Sequence, residues 1–384
     1  MPEQEVLSST SEAKEQKVTS KIRMSFSIEE AQESPLQQVG FFAATPACLS
    51  DWFIQTLTQT GDQVCDVFAG RGTTAISAYQ NSRHAIANDL NPLSEIMING
   101  RITMTTIDQF RAVLKRALST PRQSMSAAEA TVFPIYFAPR TLEQIWSIRT
   151  YLLQSSENQE EMEAKNCLRF LLAERLLGRG TEVLSISLPG IGRMTRPEEQ
   201  AKRNRLLPQD GKPEKDVESI LLNRFYFYLQ ARIKSDSKIV CLSKAASDLS
   251  SIADQSVQLH FTVPPELNTK VYLDEHWLRL WFFGVKEEDL AMKLPALYTP
   301  ENWQANMAHV MREQQRTLCK GGRSVWVLAD TPRITEVLWP RLLQAGHDAG
   351  WQAETEYLCR IPSKKEKKSL QGNIAVRIMQ FLNK

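Results

Sequence analysis

Two kinds of apolar pattern alternate along the chain. Leu49, Trp52, Phe53 and Leu57 recur at helical spacing. Gln63 to Phe68 is instead a short apolar run, closed by Gly70-Arg71-Gly72. Thr73 to Gln80 has helical composition, and His84-Ala85-Ile86-Ala87 is a second strand ending at Asn88-Asp89. Strand, glycine turn, helix and strand within about 30 residues predict the opening unit of a parallel α/β sheet. The rhythm breaks between 101 and 235, where helical patterns dominate, as in Leu142, Ile145, Trp146, Arg149, Leu152 and Leu153. A polar, proline-containing segment runs there from Gly190 to Asp216. The strand pattern returns over Lys238 to Leu242 and again over Val257 to Thr262, which leads into Pro264-Pro265. A helix over 301–318 is expected to end on Lys320-Gly321-Gly322 as a C-cap, before a strand over Ser324 to Leu328. A helix near 334–345 and two strands, Ala353 to Arg360 and Ile374 to Leu382, complete the pattern.

The expected organisation has three parts. Residues 1–30 are polar and are expected to form a mobile leader. Residues 31–100 and 236–384 are expected to form an α/β body, and residues 101–235 a largely helical insert. The 384 residues are 42% hydrophobic and 23% charged, which allows a sizeable core and excludes wholesale disorder. Lys plus Arg is 46 and Asp plus Glu is 44. That balance excludes a polybasic protein but leaves room for a basic face. No apolar run approaches the roughly 18 residues of a membrane span, and Met1 to Arg23 lacks the apolar stretch of a signal peptide. A cytoplasmic protein is expected. The six cysteines form no C-x-x-C pair and the five histidines are scattered. Buried thiols are expected and no metal site is.

The sharpest signal is Asp66-Val67-Phe68-Ala69-Gly70-Arg71-Gly72-Thr73-Thr74. An acid within the strand can accept hydrogen bonds from a cationic or amine-bearing ligand. Two glycines one residue apart allow a tight turn and a close approach of backbone to ligand. Asp89, at the end of the next strand, is placed to take both hydroxyls of a ribose. The phosphate-loop pattern with its Gly-Lys-Ser/Thr ending is absent, and so is the third glycine of the dinucleotide fingerprint.

These residues resemble motif I of the S-adenosylmethionine-dependent amino methyltransferases that act on DNA. Phe41-Phe42-Ala43-Ala44-Thr45-Pro46 is similar to that family's motif X, and Asp89-Leu90-Asn91-Pro92 to its ribose-binding segment. Leu184 to Pro189 and Trp277 to Gly284 resemble segments of one branch of these methylases. The resemblance implies a seven-stranded Rossmann-like sheet carrying a helical insert, with S-adenosylmethionine as cofactor. It implies that Asp66, Phe68, Gly70, Gly72 and Thr73 line the methionine side, that Asp89 holds the ribose, and that Thr45 meets the carboxylate end.

The family's catalytic motif IV has an Asp, Asn or Ser, two prolines and an aromatic, directly after a strand. Its polar residue and a proline carbonyl orient the target amino group, and its aromatic stacks on the flipped base. The matching segment here is Val263-Pro264-Pro265-Glu266, and no intact version occurs elsewhere. Valine cannot accept a hydrogen bond, a loss worth about 1–3 kcal/mol. Glutamate removes a stacking platform of about 1–3 kcal/mol and repels phosphate. Four readings stay open: a catalytic motif of another form elsewhere in the chain, chemistry weakened or lost, Glu266 serving as the acceptor, or an altered but active pocket.

Arg193, Arg196, Lys202, Arg203 and Arg205 outweigh Glu198 and Glu199, and Lys364, Lys365, Lys367 and Lys368 outweigh Glu366. Either run suits phosphate contact or a plain solvated face. The resemblance favours the first, because it falls in the insert, the expected target-recognition region. Trp277 and Trp281, one helical turn apart, are expected in a core. The resemblance implies methyl transfer to N6 of adenine or N4 of cytosine in DNA, with restriction–modification among the implied settings. A binding module that keeps cofactor and DNA but has lost transfer is the alternative, and an RNA amino methyltransferase a weaker one.

Overall fold

The computed structural model describes residues 1–7, 18–39, 45–103, 105–178, 180–186, 196–205, 212–233, 235–267, 269–295, 297–362 and 373–383, with backbone alone for 269–272 and 373. Its strands are β1 (Glu3–Leu7), β2 (Ser20–Ser25), β3 (Gln63–Asp66), β4 (His84–Asn88), β5 (Ile239–Leu242), β6 (Val257–Thr262), β7 (Leu318–Ala329), β8 (Gln352–Pro362) and β9 (Asn373–Leu382). They form one nine-stranded sheet in the order β1-β2-β8-β9-β7-β6-β3-β4-β5.

The α/β class is as expected, but the sheet is wider than seven strands. β3 to β9 supply seven, with β9 antiparallel to β7 and β8. The other two come from the segment expected to be a mobile leader. β2 pairs parallel with β8, and β1 pairs antiparallel with β2. The cause is a period-two pattern hidden in polar composition. Ile22, Met24 and Phe26 alternate with Lys21, Arg23 and Ser25, and Met24 and Phe26 are buried. Residues 8–17 lie outside the described residues.

The helices are α1 (Ala47–Leu57), α2 (Thr73–Gln80), α3 (Leu93–Ile102), α4 (Ile107–Ser119), α5 (Ala127–Val132), α6 (Pro139–Leu152), α7 (Gln159–Arg175), α8 (Pro197–Asn204), α9 (Val217–Leu229), α10 (Thr269–Phe282), α11 (Glu287–Lys293), α12 (Pro300–Thr317) and α13 (Trp339–Asp348). Alternate residues of the central strands enter cores on opposite faces of the sheet. Val325 and Val327 join Leu49 and Phe53 of α1, while Trp326 and Leu328 join Trp303 and Met307 of α12 and Leu342 of α13. Burial on both faces is why these strands are near-continuous apolar runs. A third core holds Phe110, Trp146, Phe170 and Phe225 from the α3–α9 region, together with Leu278 and Phe282 of α10.

One boundary differs from its expectation. α12 ends at Thr317, and β7 begins at once with Leu318 and runs through Lys320-Gly321-Gly322. Gly321 has φ +76°, and the β6–β7 register jumps from Val257–Leu318 to Leu259–Arg323. The glycines therefore form an irregularity within a strand rather than a helix cap.

Candidate functional site

β3 lies between β4 on one side and β6 on the other, so chain order reverses there. The carboxyl ends of strands at such a switch point form the crevice where α/β sheets hold ligands. Asp66 ends β3, Asn88 ends β4, and Thr262 ends β6.

Asp66 is buried and fully engaged by the turn. Its Oδ1 accepts from the Phe68 amide at 3.1 Å and the Thr262 hydroxyl at 3.0 Å, and its Oδ2 accepts from the Thr74 hydroxyl at 2.7 Å. Burial pushes its carboxyl up to about 6, against the pull of those three bonds. Asp89 faces the same turn: its Oδ2 accepts from the Gly70 amide at 2.7 Å and its Oδ1 from the Asn91 amide at 2.9 Å. Burial raises this acid to about 6 as well. The two acids are thus brought to one turn. Asn88 locks the strand ends behind them, donating to the Lys244 carbonyl at 3.0 Å and accepting its amide at 3.1 Å.

The glycines serve two different needs. Gly70 has φ +50°, and a Cβ there would meet nothing nearer than the Phe68 carbonyl at 3.9 Å, so the surface over the turn stays open. Gly72 has φ +80°, and a Cβ there would collide with Ile98 of α3. It lets α2 start close against α3. Thr73 is buried, and its hydroxyl accepts from Arg71 Nε at 2.9 Å. Phe68 is half-buried against the α12–α13 core.

Thr45 is half-buried, and its carbonyl accepts from Arg71 Nη2 at 3.3 Å. The rest of the motif X match, residues 40–44, lies outside the described residues, as do Ser187 to Pro189. The open glycine surface, the acid at the end of β4 and the Thr45 segment fit the three parts of S-adenosylmethionine: methionine chain, ribose diol and carboxylate end.

The segment Val263-Pro264-Pro265-Glu266 leaves β6 immediately beside Asp66, through the Thr262 bond. Val263 is half-buried against the core that holds Phe53 and Phe261. Pro264 is buried, and the Pro265 carbonyl accepts from the Trp303 indole at 2.7 Å. Glu266 is exposed. The proline frame is fixed, while the two substituted positions present a hydrocarbon and a solvated carboxylate.

The basic run is less available than its composition suggests. Arg196 donates to Glu287 through Nη1 at 2.9 Å and Nη2 at 2.6 Å, and to Asp274 through Nε at 2.8 Å. The Glu287 bonds raise its basicity further. Arg203 pairs with Glu199 at 3.1 Å. Lys202 and Arg205 are exposed, while Arg193 and the lysines at 364–368 lie outside the described residues. Trp277 and Trp281 pack against the insert core, Trp281 with its ring 3.5 Å from that of Phe133. Thr262, Asn88 and Arg101 escaped the sequence reading, because a strand-end polar residue or one Arg in an apolar helix carries no pattern of its own.

Two clefts lie apart from the glycine turn. One, of about 530 Å³, is lined by His84, Lys238 and Cys319 near the amino ends of the strands. The other, of about 570 Å³, lies among α3, α6, α7 and α10. No helix among the described residues is long and apolar enough to cross a membrane.

Among known proteins, residues 2–96 match the family model N6_N4_Mtase, described as DNA methylase. No curated protein matches the chain. Solved structures give loose likenesses. One is a SAM-dependent methyltransferase from Methanosarcina mazei, 9% identical, TM-score 0.33, covering 86% of this chain and 96% of that one. Another is a precorrin-6y C5,15-methyltransferase from Geobacter metallireducens, 8% identical, TM-score 0.35, covering 91% of this chain and 94% of that one. The family match covers β1 to β4 and the glycine turn, so it is residues 2–96 of this chain that are similar to the N6/N4 DNA methylases.

Proposed function

We propose that this protein binds S-adenosylmethionine at the β3–α2 turn and transfers its methyl group to an exocyclic amino group of DNA, N6 of adenine or N4 of cytosine. The observation that carries the reading is the convergence of Asp66, Gly70, Gly72 and Asp89 at the switch point of the sheet, directly beside the segment leaving β6. The cofactor supplies an activated methyl group on sulfur. The chain's own part is to hold and orient. Asp89 takes the ribose diol, Gly70 and Gly72 let the backbone approach the methionine chain, and Thr45 meets the carboxylate end. Pro264 and Pro265 form the rigid wall against which the target amine lies. Proton loss from the alkylated amine follows transfer, so no strong base is needed. Exposed Lys202 and Arg205 of the insert are the proposed DNA phosphate contacts among the described members of the basic run.

A second reading is favoured by one observation: Val263 packs into the core and offers the target amine no acceptor. On that reading the protein is a binding module that keeps cofactor and DNA affinity without transfer. Labelled S-adenosylmethionine incubated with unmethylated genomic DNA separates the two. Label in the DNA supports the enzyme, and digestion of the product identifies the base. Absence of label with calorimetric binding of the cofactor supports the module, and absence of both removes the site assignment.

A further inference from the structure

Residues 33–39 run past the glycine turn and are held from two sides. The α/β body supplies one side. Gln37 is 1% exposed, and its amide donates to the Thr73 carbonyl at 3.0 Å and to the Ser77 hydroxyl at 3.1 Å, both on α2. Arg71, inside the turn, donates to the Val39 carbonyl at 2.6 Å and pairs with Glu33 at 3.1 Å. The insert supplies the other side. Leu36 and Val39 are buried in the core that holds Phe110, Phe170 and Phe225. The Gln38 carbonyl accepts from Arg224 Nη2 at 2.7 Å and from the Tyr228 hydroxyl at 3.3 Å, both on α9. Arg224 is itself fixed, because buried Glu174 of α7 accepts from its Nε at 2.9 Å.

Two neighbouring carbonyls are thus claimed by guanidinium groups from different parts of the molecule. Gln38 belongs to Arg224 of the insert, and Val39 to Arg71 of the turn. Hydrogen bonds from a charged donor are strong and directional, and a packed core shifts as a unit rather than stretching. A displacement of α9 relative to the sheet therefore moves the backbone that Arg71 grips. Arg71 also donates to the Thr45 carbonyl at 3.3 Å, so the turn and the Thr45 segment move with it.

We propose that residues 33–39 act as a strap that makes ligand binding at the glycine turn depend on the insert, with Arg224 as the positioning residue at the insert end. Arg224 fixes Gln38 and, through Val39 and Arg71, the turn backbone that approaches the ligand. The proposal concerns regulation of the site described above and rests on the S-adenosylmethionine reading.

The test is calorimetric titration of the full chain with S-adenosylhomocysteine. Arg224→Gln should weaken binding by about fivefold or more. Arg232→Gln makes the same change at an insert guanidinium that donates to the Thr105 carbonyl, away from the strap, and should stay within about twofold of the parent. Equal weakening by both variants would reduce Arg224 to general support of the insert and overturn the proposal, as would unchanged affinity in Arg224→Gln. If circular dichroism shows Arg224→Gln unfolded, Tyr228→Phe takes its place, since it removes only the hydroxyl that donates to Gln38, with the same outcomes. A parent that binds no S-adenosylhomocysteine removes the cofactor reading, a result distinct from failure of the strap. Hydrogen exchange then reads the strap alone: Arg224→Gln should speed exchange over residues 33–39 and 70–73 by about fivefold. Unchanged exchange at residues 70–73 would overturn the proposal.

Discussion

Asp66 and Asp89 are acids held in a turn that raises both to about 6, chiefly through burial. A carboxyl raised above its unfolded value of about 4 binds more protons in the native state between those limits, so its contribution to stability falls as pH rises from about 4 to about 6. Removing that titration with Asp66→Asn should flatten this component, and the check is urea unfolding of parent and variant at pH 4.5 and 7. Identical pH trends in the two proteins would show that Asp66 titrates normally. Asp89 carries a ligand prediction too: Asp89→Ala should weaken S-adenosylhomocysteine about tenfold or more by calorimetry, and equal affinity would remove the ribose role. Motif IV is the other residue-scale question. The proline frame is anchored by the Trp303 bond, so restoring an acceptor and a ring by Val263→Ser with Glu266→Tyr places them on a fixed scaffold. If the motif is merely degraded, the double variant should gain methyl transfer over the parent by about tenfold or more, measured with labelled cofactor on DNA. An active parent made worse by the change would identify a specialised pocket instead. The acids and glycines of this site were legible because strand, turn and strand fix their spacing. Thr262 and Arg101 were not, because they reach the turn from β6 and α3 through contacts that only the folded chain creates.

At the scale of elements, α8 shows how charge counting and geometry part company. Its first residues follow Arg196, whose guanidinium bridges Asp274 of α10 and Glu287 of α11. That residue ties the insert to the helices following motif IV, and its charge is already neutralised. Lys202 and Arg205 remain exposed to solvent. Neutralising Lys202 and Arg205 together should lower the slope of log affinity against log salt by about 2 for a DNA duplex. Arg196→Gln should leave that slope unchanged and lower the melting temperature, because it breaks a partly buried ion-pair bridge. The reverse result, a flattened slope from Arg196→Gln alone, would mean that the bridge opens when DNA binds. The same gap between local pattern and tertiary pairing explains Lys320-Gly321-Gly322. A glycine pair after a helix has the signature of a cap, but β7 gains more by pairing from Leu318 onward with β6 and absorbing the glycines as an irregularity.

Across the whole molecule, the alternation of strand and helix was legible from β3 onward, because strands buried on both faces have apolar runs that stand out. β1 and β2 were not legible, because β1 is exposed along nearly its whole length and β2 turns only one apolar face inward. In β2 that face is hidden among Lys21, Arg23 and Ser25. The result changes what the first residues are for. Met24 and Phe26 enter the core that contains Tyr357, Cys359 and Ile361, and β2 covers the backbone edge of β8. Removing residues 1–26 would strip two large apolar side chains from that core, about 2 kcal/mol each, and leave β8 as a bare edge. Calorimetry should then show a melting temperature lower by about 5–10 °C. Light scattering should show concentration-dependent association, since an uncovered strand of apolar and β-branched residues pairs with any copy it meets. Lys21 strengthens the case, because it pairs with the buried Glu356 at 2.9 Å, and deletion would remove that partner and leave Arg377 to hold the acid. An unchanged melting temperature and a monodisperse truncated protein would return residues 1–26 to the status of a dispensable leader and would make the sheet a self-sufficient seven-stranded unit.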